Sequence, residues 1–318
     1  MRERRPATLD CCGPTAVGSH DRKGRFHDLK PISASSAPSV RAEAFRRIYD
    51  PSAGEDRPWY LNDHTFVYDP DGARWHLFGI THPEPADPMD ERMFAHASAE
   101  RLFATWTKHA PGLEADDGAG ESFIWAPHVI CHAGRFWMFY AAGTPDPTAF
   151  RMHLATSVDL FTWTRSGANP LFTDGYDGRD PCVVWISDRW VMYYCATSAP
   201  TGGNHVVAYR ESADLLHWGE RAIAFTDPIR GTTDGPTESP FVVSRPDGYY
   251  LFIGPRGGYV GTDVFFSTDP LSFRLEDIVG HIASHAAEVI EDVDGSWYVS
   301  RCGWGQGGVD LARLEWPG

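Results

Sequence analysis

Three acidic residues stand at the polar starts of short apolar runs, far apart along the chain. They are Asp63 in Leu61-Asn62-Asp63-His64, Asp180 in Gly178-Arg179-Asp180-Pro181, and Glu238 in Thr237-Glu238-Ser239-Pro240. Brought to one place, three carboxyls suit acid–base chemistry on a glycosidic bond. One must stay ionised as nucleophile or base. Another must carry a proton to the leaving oxygen, and a like charge beside it raises its pKa so that it can. A single acidic residue beside a proline reads as a turn cap. Three at matching positions read as a site.

Two more strand starts share the polar pattern: Trp125-Ala126-Pro127-His128 and Ser284-His285-Ala286-Ala287-Glu288. Aligned on the residue before each apolar run, Asp63 and Asp180 fall at equivalent places. Glu238 and His285 fall one residue earlier.

The elements that would hold these residues together are repeats. A Ser, an acidic residue two places on, and then an aromatic recur as Ser98…Glu100…Trp106, Ser157…Asp159…Trp163, Ser212…Asp214…Trp218 and Ser267…Asp269…Phe273. The aromatics are 57, 55 and 55 residues apart. A turn signal followed by an aromatic-rich strand interleaves with them five times, beginning at Asp71, Gly134, Asp188, Asp247 and Asp294. Strand–turn–strand units at a fixed period suggest propeller blades. The fold expected is all-β: a single-domain five-bladed β-propeller over residues 56–318, after an irregular N-terminal arm over residues 1–55. Blades are expected to begin near Asn62, Trp125, Arg179, Glu238 and His285, each with its innermost strand. In a propeller those strands converge on a central channel, so their starts face one another. The Ser and acidic residues of the repeat are expected to cap turns rather than do chemistry. A short helical segment is expected around residues 42–48.

Composition narrows the function. The formal charge of −15 argues against a sequence-independent nucleic-acid binder, which needs a basic surface. No apolar run reaches the length of a membrane span. Twelve Trp, twelve Tyr and eighteen Phe are mostly blade core, with a few available to line a sugar site. The six cysteines include no C-x-x-C pair, which argues against a structural zinc site, and four lie in or beside strand-like segments as small buried hydrophobes. The charged start Met1-Arg2-Glu3-Arg4-Arg5 is followed by no apolar segment, so a cytoplasmic protein is expected. The partners expected are a small-molecule or oligosaccharide substrate, with no nucleic acid and no membrane, on a monomer or weak homo-oligomer.

Other residues are candidates for the same face. The acidic, proline-rich stretch over residues 81–93 contains His82 and reads as a loop that shapes the site. His64, His128 and His285 are expected to hydrogen-bond sugar hydroxyls or the carboxylates. Arg179 is placed to bond a substrate hydroxyl or Asp180. Arg256, in Gly254-Pro255-Arg256-Gly257-Gly258, is a further binding candidate, as are Asn62 and Trp125. No H-E-x-x-H or tight H-x-H spacing supports a catalytic metal.

At this point the chain resembles a known group. Asn62-Asp63, Arg179-Asp180-Pro181 and Glu238-Ser239-Pro240 are similar to the three motifs of the five-bladed propeller glycoside hydrolases. These include families 32 and 68, acting on fructosides, and family 43, acting on arabinosides and xylosides. The resemblance spans roughly Trp59 to Trp316. It implies that Asp63 is the nucleophile or general base and Glu238 the general acid. Asp180 would stabilise the transition state, or raise the acid's pKa and orient the substrate. The Arg-Asp-Pro triplet matches the fructosidase side, while Trp125-Ala126-Pro127-His128 and His285 look more like family 43. There the equivalent His often lies near a calcium ion or a water. No cofactor is therefore required, and a structural calcium ion near His285 is the one ion the resemblance brings in.

The chain also departs from the fructosidase pattern. Asp63 is followed by His64-Thr65-Phe66, and Glu238 by Ser239 rather than Cys. The fifth blade is expected to reach close to Gly318, so an appended β-sandwich is not expected. The sugar, the linkage and retention or inversion stay open. The reading is a glycosidase removing a terminal fructosyl, arabinofuranosyl or xylosyl unit. The alternatives are non-hydrolytic chemistry on the same scaffold (transglycosylase, lyase or natural-product cyclase) and a non-catalytic sugar-binding propeller.

Overall fold

A computed structural model describes residues 39–317 except Pro145 and Tyr176. It is a five-bladed β-propeller built almost wholly of strands, with four three-residue 3-10 turns among the described residues. Blade one comprises Trp59–Asp69, Arg74–Pro83 and Met93–Ala99, with Thr107–Lys108 and Leu113–Glu114 at its outer edge. Blade two comprises Phe123–His132, Arg135–Gly143 and Arg151–Ser157, edged by Thr164–Arg165 and Phe172–Thr173. Blade three comprises Arg179–Ile186, Arg189–Ala199, Gly202–Ser212 and Ala222–Gly231. Blade four comprises Glu238–Arg245, Gly248–Gly254, Thr262–Ser267 and Ile278–Ile282. Blade five has Val289–Glu291, Trp297–Arg301 and Val309–Glu315.

The outer edge of blade five comes from the other end of the chain. Arg41–Ala42 and Arg46–Tyr49 both pair antiparallel with Val309–Glu315. This corrects two expectations. Residues 42–48 carry strand, not helix, and residues 41–49 belong to the propeller rather than to an arm. The sheet edge overrides local helix propensity, because an unpaired edge leaves backbone groups unsatisfied. The rest of the expected arm, residues 1–38, lies outside the described residues. Blade one is also fastened to blade five at the channel, where the buried Glu288 carboxylate accepts a hydrogen bond from the Phe66 amide (2.8 Å).

Apolar residues fill the seams between blades. Phe78, Phe94, Phe123 and Tyr140 pack between blades one and two. Phe139, Met152, Val183 and Tyr194 pack between two and three. Tyr193, Phe241, Phe252 and Val289 fill the seams of blades three to five. The alternation of strand residues leaves one set for each seam, so a small period-two pattern yields a continuous ring of core.

In the second, third and fourth repeats the Ser and acidic residues cap turns, whereas Ser98 of the first bonds His109 and Arg74 instead. Ser157 Oγ accepts from the amides of Asp159 and Leu160 (3.2 and 2.9 Å), and Asp159 Oδ1 accepts from those of Phe161 and Thr162 (2.9 and 2.7 Å). Ser212 and Asp214 repeat this arrangement one blade later. The turn places Leu160 and Leu215 in the left-handed region at φ 65° and 67°, each with its side chain buried.

Candidate active site

Each innermost strand begins with the same backbone irregularity. Asp63, Ala126, Asp180, Ser239 and Ala286 have φ of 28°, 60°, 60°, 52° and 50°. In the first four blades the pairing register slips across this position, between Asn62 and His64, Trp125 and His128, Arg179 and Cys182, and Glu238 and Phe241. A bulge bends the strand and re-aims a side chain. The left-handed region costs non-glycine residues energy and is commonest for Asp and Asn, so its recurrence marks the channel mouth as a functional position. The five sites fall at the expected blade starts, with Asp63 and Asp180 in register and Glu238 and His285 one residue earlier.

Arg179 is the hub. Its Nε donates to Asp177 Oδ1 (2.9 Å), Nη1 to Asp180 Oδ2 (2.8 Å) and Nη2 to Glu238 Oε1 (2.7 Å). All four side chains are buried. Asp180 Oδ2 also accepts from the Ser239 amide (3.2 Å) and the Cys195 thiol (3.3 Å). Asn62 Nδ2 donates to Asp63 Oδ2 (3.2 Å).

Five buried carboxyls and one guanidinium share this region, since Glu91 joins Asp63, Asp177, Asp180 and Glu238. Burial holds the Asp63 carboxyl well above the usual range, with Asp180, Glu91 and Glu238 adding repulsion and Arg179 opposing them. Asp177 rises to about 6, first through burial and then through Asp180 and Asp234, again against Arg179. Burial works against the charge of Arg179, but Asp177, Asp180 and Glu238 outweigh it and keep the guanidinium protonated. Full ionisation of such a cluster is costly at low dielectric, so protons are retained within it.

Glu91 was not among the residues read from sequence. It sits beside Arg92 in the acidic 81–93 stretch, where a charge reads as solvated. In the fold it is fully buried, and its Oε1 accepts from Tyr60 Oη (2.6 Å) and Trp304 Nε1 (3.0 Å). Trp304 is presented by the glycine-rich stretch 303–308, and its amide donates to Tyr259 Oη (3.0 Å). Tyr259 in turn stacks on His285, with ring centroids 3.9 Å apart. Asp177, Tyr259 and Trp304 likewise escaped the sequence reading. The signal that was available is the run of four glycines around one Trp, Gly303-Trp304-Gly305-Gln306-Gly307-Gly308, which fits close backbone approach.

The other candidates divide. Asn62, Arg179 and His285 lie at the channel mouth, as expected. Trp125 lies at the bulge of blade two and stacks on Phe123 at 3.9 Å, within the seam core. His64 is turned into the fold, bonded to Ser300 Oγ (2.8 Å) and Cys302 Sγ (3.0 Å), and burial and His285 lower its pKa to about 3. His128 Nε2 donates to the Val183 carbonyl (3.1 Å), and burial lowers it too to about 3. His82 is half-buried and donates to the carbonyl of Pro83 (2.8 Å). Arg256 is buried in a separate ion network with Asp227 and Asp263, the latter at 2.9 Å. It is a structural cation there, because two buried carboxylates require one.

A calcium ion near His285 would be held by oxygen atoms rather than by the imidazole. His285 Nδ1 is engaged by the Tyr259 carbonyl (3.1 Å). Among the described residues no three His, Cys, Asp or Glu side chains stand together as a ligand set. No step below passes through an ion.

Comparison with solved structures gives the same architecture. A family-43 β-xylosidase/α-arabinofuranosidase from a compost microbial metagenome superposes with a TM-score of 0.62 at 14% identity, covering 87% of this chain and 94% of that one. The endo-arabinase of Bacteroides thetaiotaomicron gives 0.62 at 15%, covering 86% and 98%. The family-32 β-fructofuranosidase of Bombyx mori gives 0.55 at 17%, covering 81% of this chain and 59% of that one. The model of the family described as Glycosyl hydrolases family 43 matches residues 99–264, more than half of the chain and two of the three motif carboxylates. The chain belongs to glycosyl hydrolases family 43.

Proposed function

We propose that this protein removes a terminal pentosyl unit, arabinofuranosyl or xylosyl, from a small glycoside or oligosaccharide, with Asp63 and Glu238 as the acting carboxyls. The observation that carries the reading is the Arg179 bridge, which gathers Asp180 and Glu238 at the bulged strand starts whose first member holds Asp63. Family membership supports the pentosyl choice over fructosyl.

Asp63 would act as base or nucleophile and Glu238 as acid. The substrate-free arrangement stores the proton elsewhere. Arg179 at 2.7 Å favours the ionised form of Glu238, while burial and three carboxylates favour the protonated form of Asp63. Productive binding therefore shifts the guanidinium from Glu238 to a sugar hydroxyl. Glu238 then takes up a proton as Asp63 gives one up. Asp180, fixed by Arg179, the Ser239 amide and Cys195, keeps its position throughout and supplies charge to an oxocarbenium-like transition state.

The test is sugar release from aryl arabinofuranosides, xylosides, fructosides and galactosides by wild type, Asp63→Asn and Glu238→Gln. Release by wild type that is lost in Asp63→Asn, with Glu238→Gln failing most on poor leaving groups, supports the assignment. Release that survives Asp63→Asn overturns it. Sugar binding without release from any substrate points instead to a binding module.

A further inference from the structure

One of the three carboxyls that Arg179 holds lies outside the three motifs. Arg179 Nε donates to Asp177 Oδ1 (2.9 Å), with the two side chains only 3% and 2% exposed. The chain takes on backbone strain to bring this carboxyl there. Asp177 sits in the left-handed region at φ 61°, and Gly175, two residues before it, at φ 72°. A Cβ at Gly175 would lie 2.6 Å from Pro200 Cα, so the stretch runs tight against its neighbour. Asp174 pins its start: the carboxylate accepts from Tyr194 Oη (2.5 Å) and pairs with Arg221 (3.0 Å) and Arg210 (3.3 Å). The Asp177 carbonyl accepts from the Cys195 thiol (3.4 Å). A strained residue that its surroundings fix this firmly points to a role for the side chain it presents.

We propose that Asp177 is a positioning residue of the reaction, the pivot that keeps the Arg179 guanidinium in place while one of its Nη groups passes from Glu238 to a sugar hydroxyl. The inference rests on the exchange proposed above for Arg179. The donors of a guanidinium are fixed in one plane. Nη1 on Asp180 (2.8 Å) and Nη2 on Glu238 (2.7 Å) hold that plane between two blades while both contacts last. Once Nη2 leaves, Nη1 alone would let the group swing about a single bond. Nε on Asp177 supplies the second fixed point, so the plane keeps its direction and the freed N–H stays aimed into the site. The hold needs an acceptor rather than a charge, because the oxygen of a carboxyl or of an amide accepts from Nε alike.

Two variants test this. Asp177→Gly removes the acceptor and is at ease with φ 61°. Asp177→Asn keeps the acceptor in a residue type that tolerates the same backbone. Asp177→Gly should lose about 100-fold in kcat, as for a displaced positioning group, with KM for an aryl pentoside changing by less than about fivefold. Asp177→Asn should recover kcat to within about tenfold of wild type. The Nε–H resonance of Arg179 in a proton–nitrogen-15 spectrum, identified by its loss in Arg179→Lys, gives a readout that needs no turnover. It should be protected from exchange in wild type and Asp177→Asn, and exchange faster in Asp177→Gly. Wild-type kcat in Asp177→Gly, an Asn variant as impaired as the Gly variant, or an unprotected Nε–H in wild type overturns the proposal. If Asp177→Gly does not fold, the wild-type and Asp177→Asn measurements still decide it. Wild type without turnover would sink the glycosidase reading alone, and the resonance would still report whether Asp177 holds the guanidinium.

Discussion

Arg179 of blade three holds Glu238 of blade four at 2.7 Å, and the same guanidinium holds Asp180 at 2.8 Å. The guanidinium links two strand starts across the channel mouth and fixes the two carboxyls relative to each other. A bidentate or bridging guanidinium does this where an ammonium would not, because its donors are fixed in one plane.

Replacing Arg179 with Gln removes the positive charge from both acting carboxyls. Arg179 lowers the pKa of Asp63, so that carboxyl becomes harder to ionise and the basic limb, set by the group that keeps its proton longer in the free enzyme, moves to higher pH. Glu238 loses its guanidinium, so the acidic limb, which the carboxyl proposed to be ionised sets, moves up as well. The whole bell of kcat/KM should move alkaline by about one unit or more, with a loss of about 100-fold at pH 7. A profile that falls in height without moving would show that Arg179 only orients substrate.

Glu121 makes a stability prediction away from the site. Burial works against its charge. Nevertheless, hydrogen bonds from His153 (2.9 Å), Arg165 (2.6 Å), the Asp116 amide (3.0 Å) and Tyr140 (2.8 Å) hold its pKa down to about 2. A carboxyl whose folded pKa is depressed stabilises the fold above its unfolded pKa, and that contribution is lost as pH falls from about 4.5 toward 2. Glu121→Gln should cost about 3 kcal/mol at pH 7 in denaturant unfolding, and the difference from wild type should shrink below pH 4. A constant difference across that window would rule out the charge as the cause.

The histidine pair of blade one works with the same direction in pH for a different reason. His76 Nδ1 and His96 Nε2 are 2.8 Å apart, His96 stacks on Phe78 at 4.4 Å, and Phe161 packs edge-on from blade two. Burial lowers His76 to about 4 and His96 to about 2, each helped by a neighbouring histidine. Both rings are neutral in the fold, so the unfolded chain binds more protons below its pKa of about 6.5. Stability should fall as pH drops from 6.5, by up to about 1.4 kcal/mol per pH unit for each ring. His96→Gln should flatten the slope of unfolding free energy between pH 6.5 and 4 relative to wild type. An equally steep slope would place the acid sensitivity elsewhere.

The blades and their starts were legible in the sequence because each blade repeats the same physical demand. A bulge with positive φ needs a polar or small residue before an apolar run, and Asn62-Asp63, Arg179-Asp180 and Glu238-Ser239 satisfy it. Glu91, Tyr259 and Trp304 arrive on connections that occur once, so no period points to them. His64 and His128 occupy the innermost strands next to the site, but the strand alternation turns them toward Ser300 and the Val183 carbonyl. The blade-five edge was hidden because its partner strand lies at the opposite end of the chain, and Ala42 and Ala44 give the segment a helical composition.

Arg256 tests the same distinction between proximity and role. From sequence it follows a blade-four strand on the site face and reads as a substrate ligand. In the fold it neutralises Asp227 and Asp263, and Asp263 is bonded to His281 (2.7 Å) on its other oxygen. Arg256→Met should therefore leave two buried carboxylates short of a partner and destabilise the protein by about 3–5 kcal/mol. Among molecules that remain folded, KM for an aryl pentoside should stay within a factor of two or three, because the guanidinium is committed to Asp227 and Asp263. A large rise in KM with little change in melting temperature would return Arg256 to the substrate.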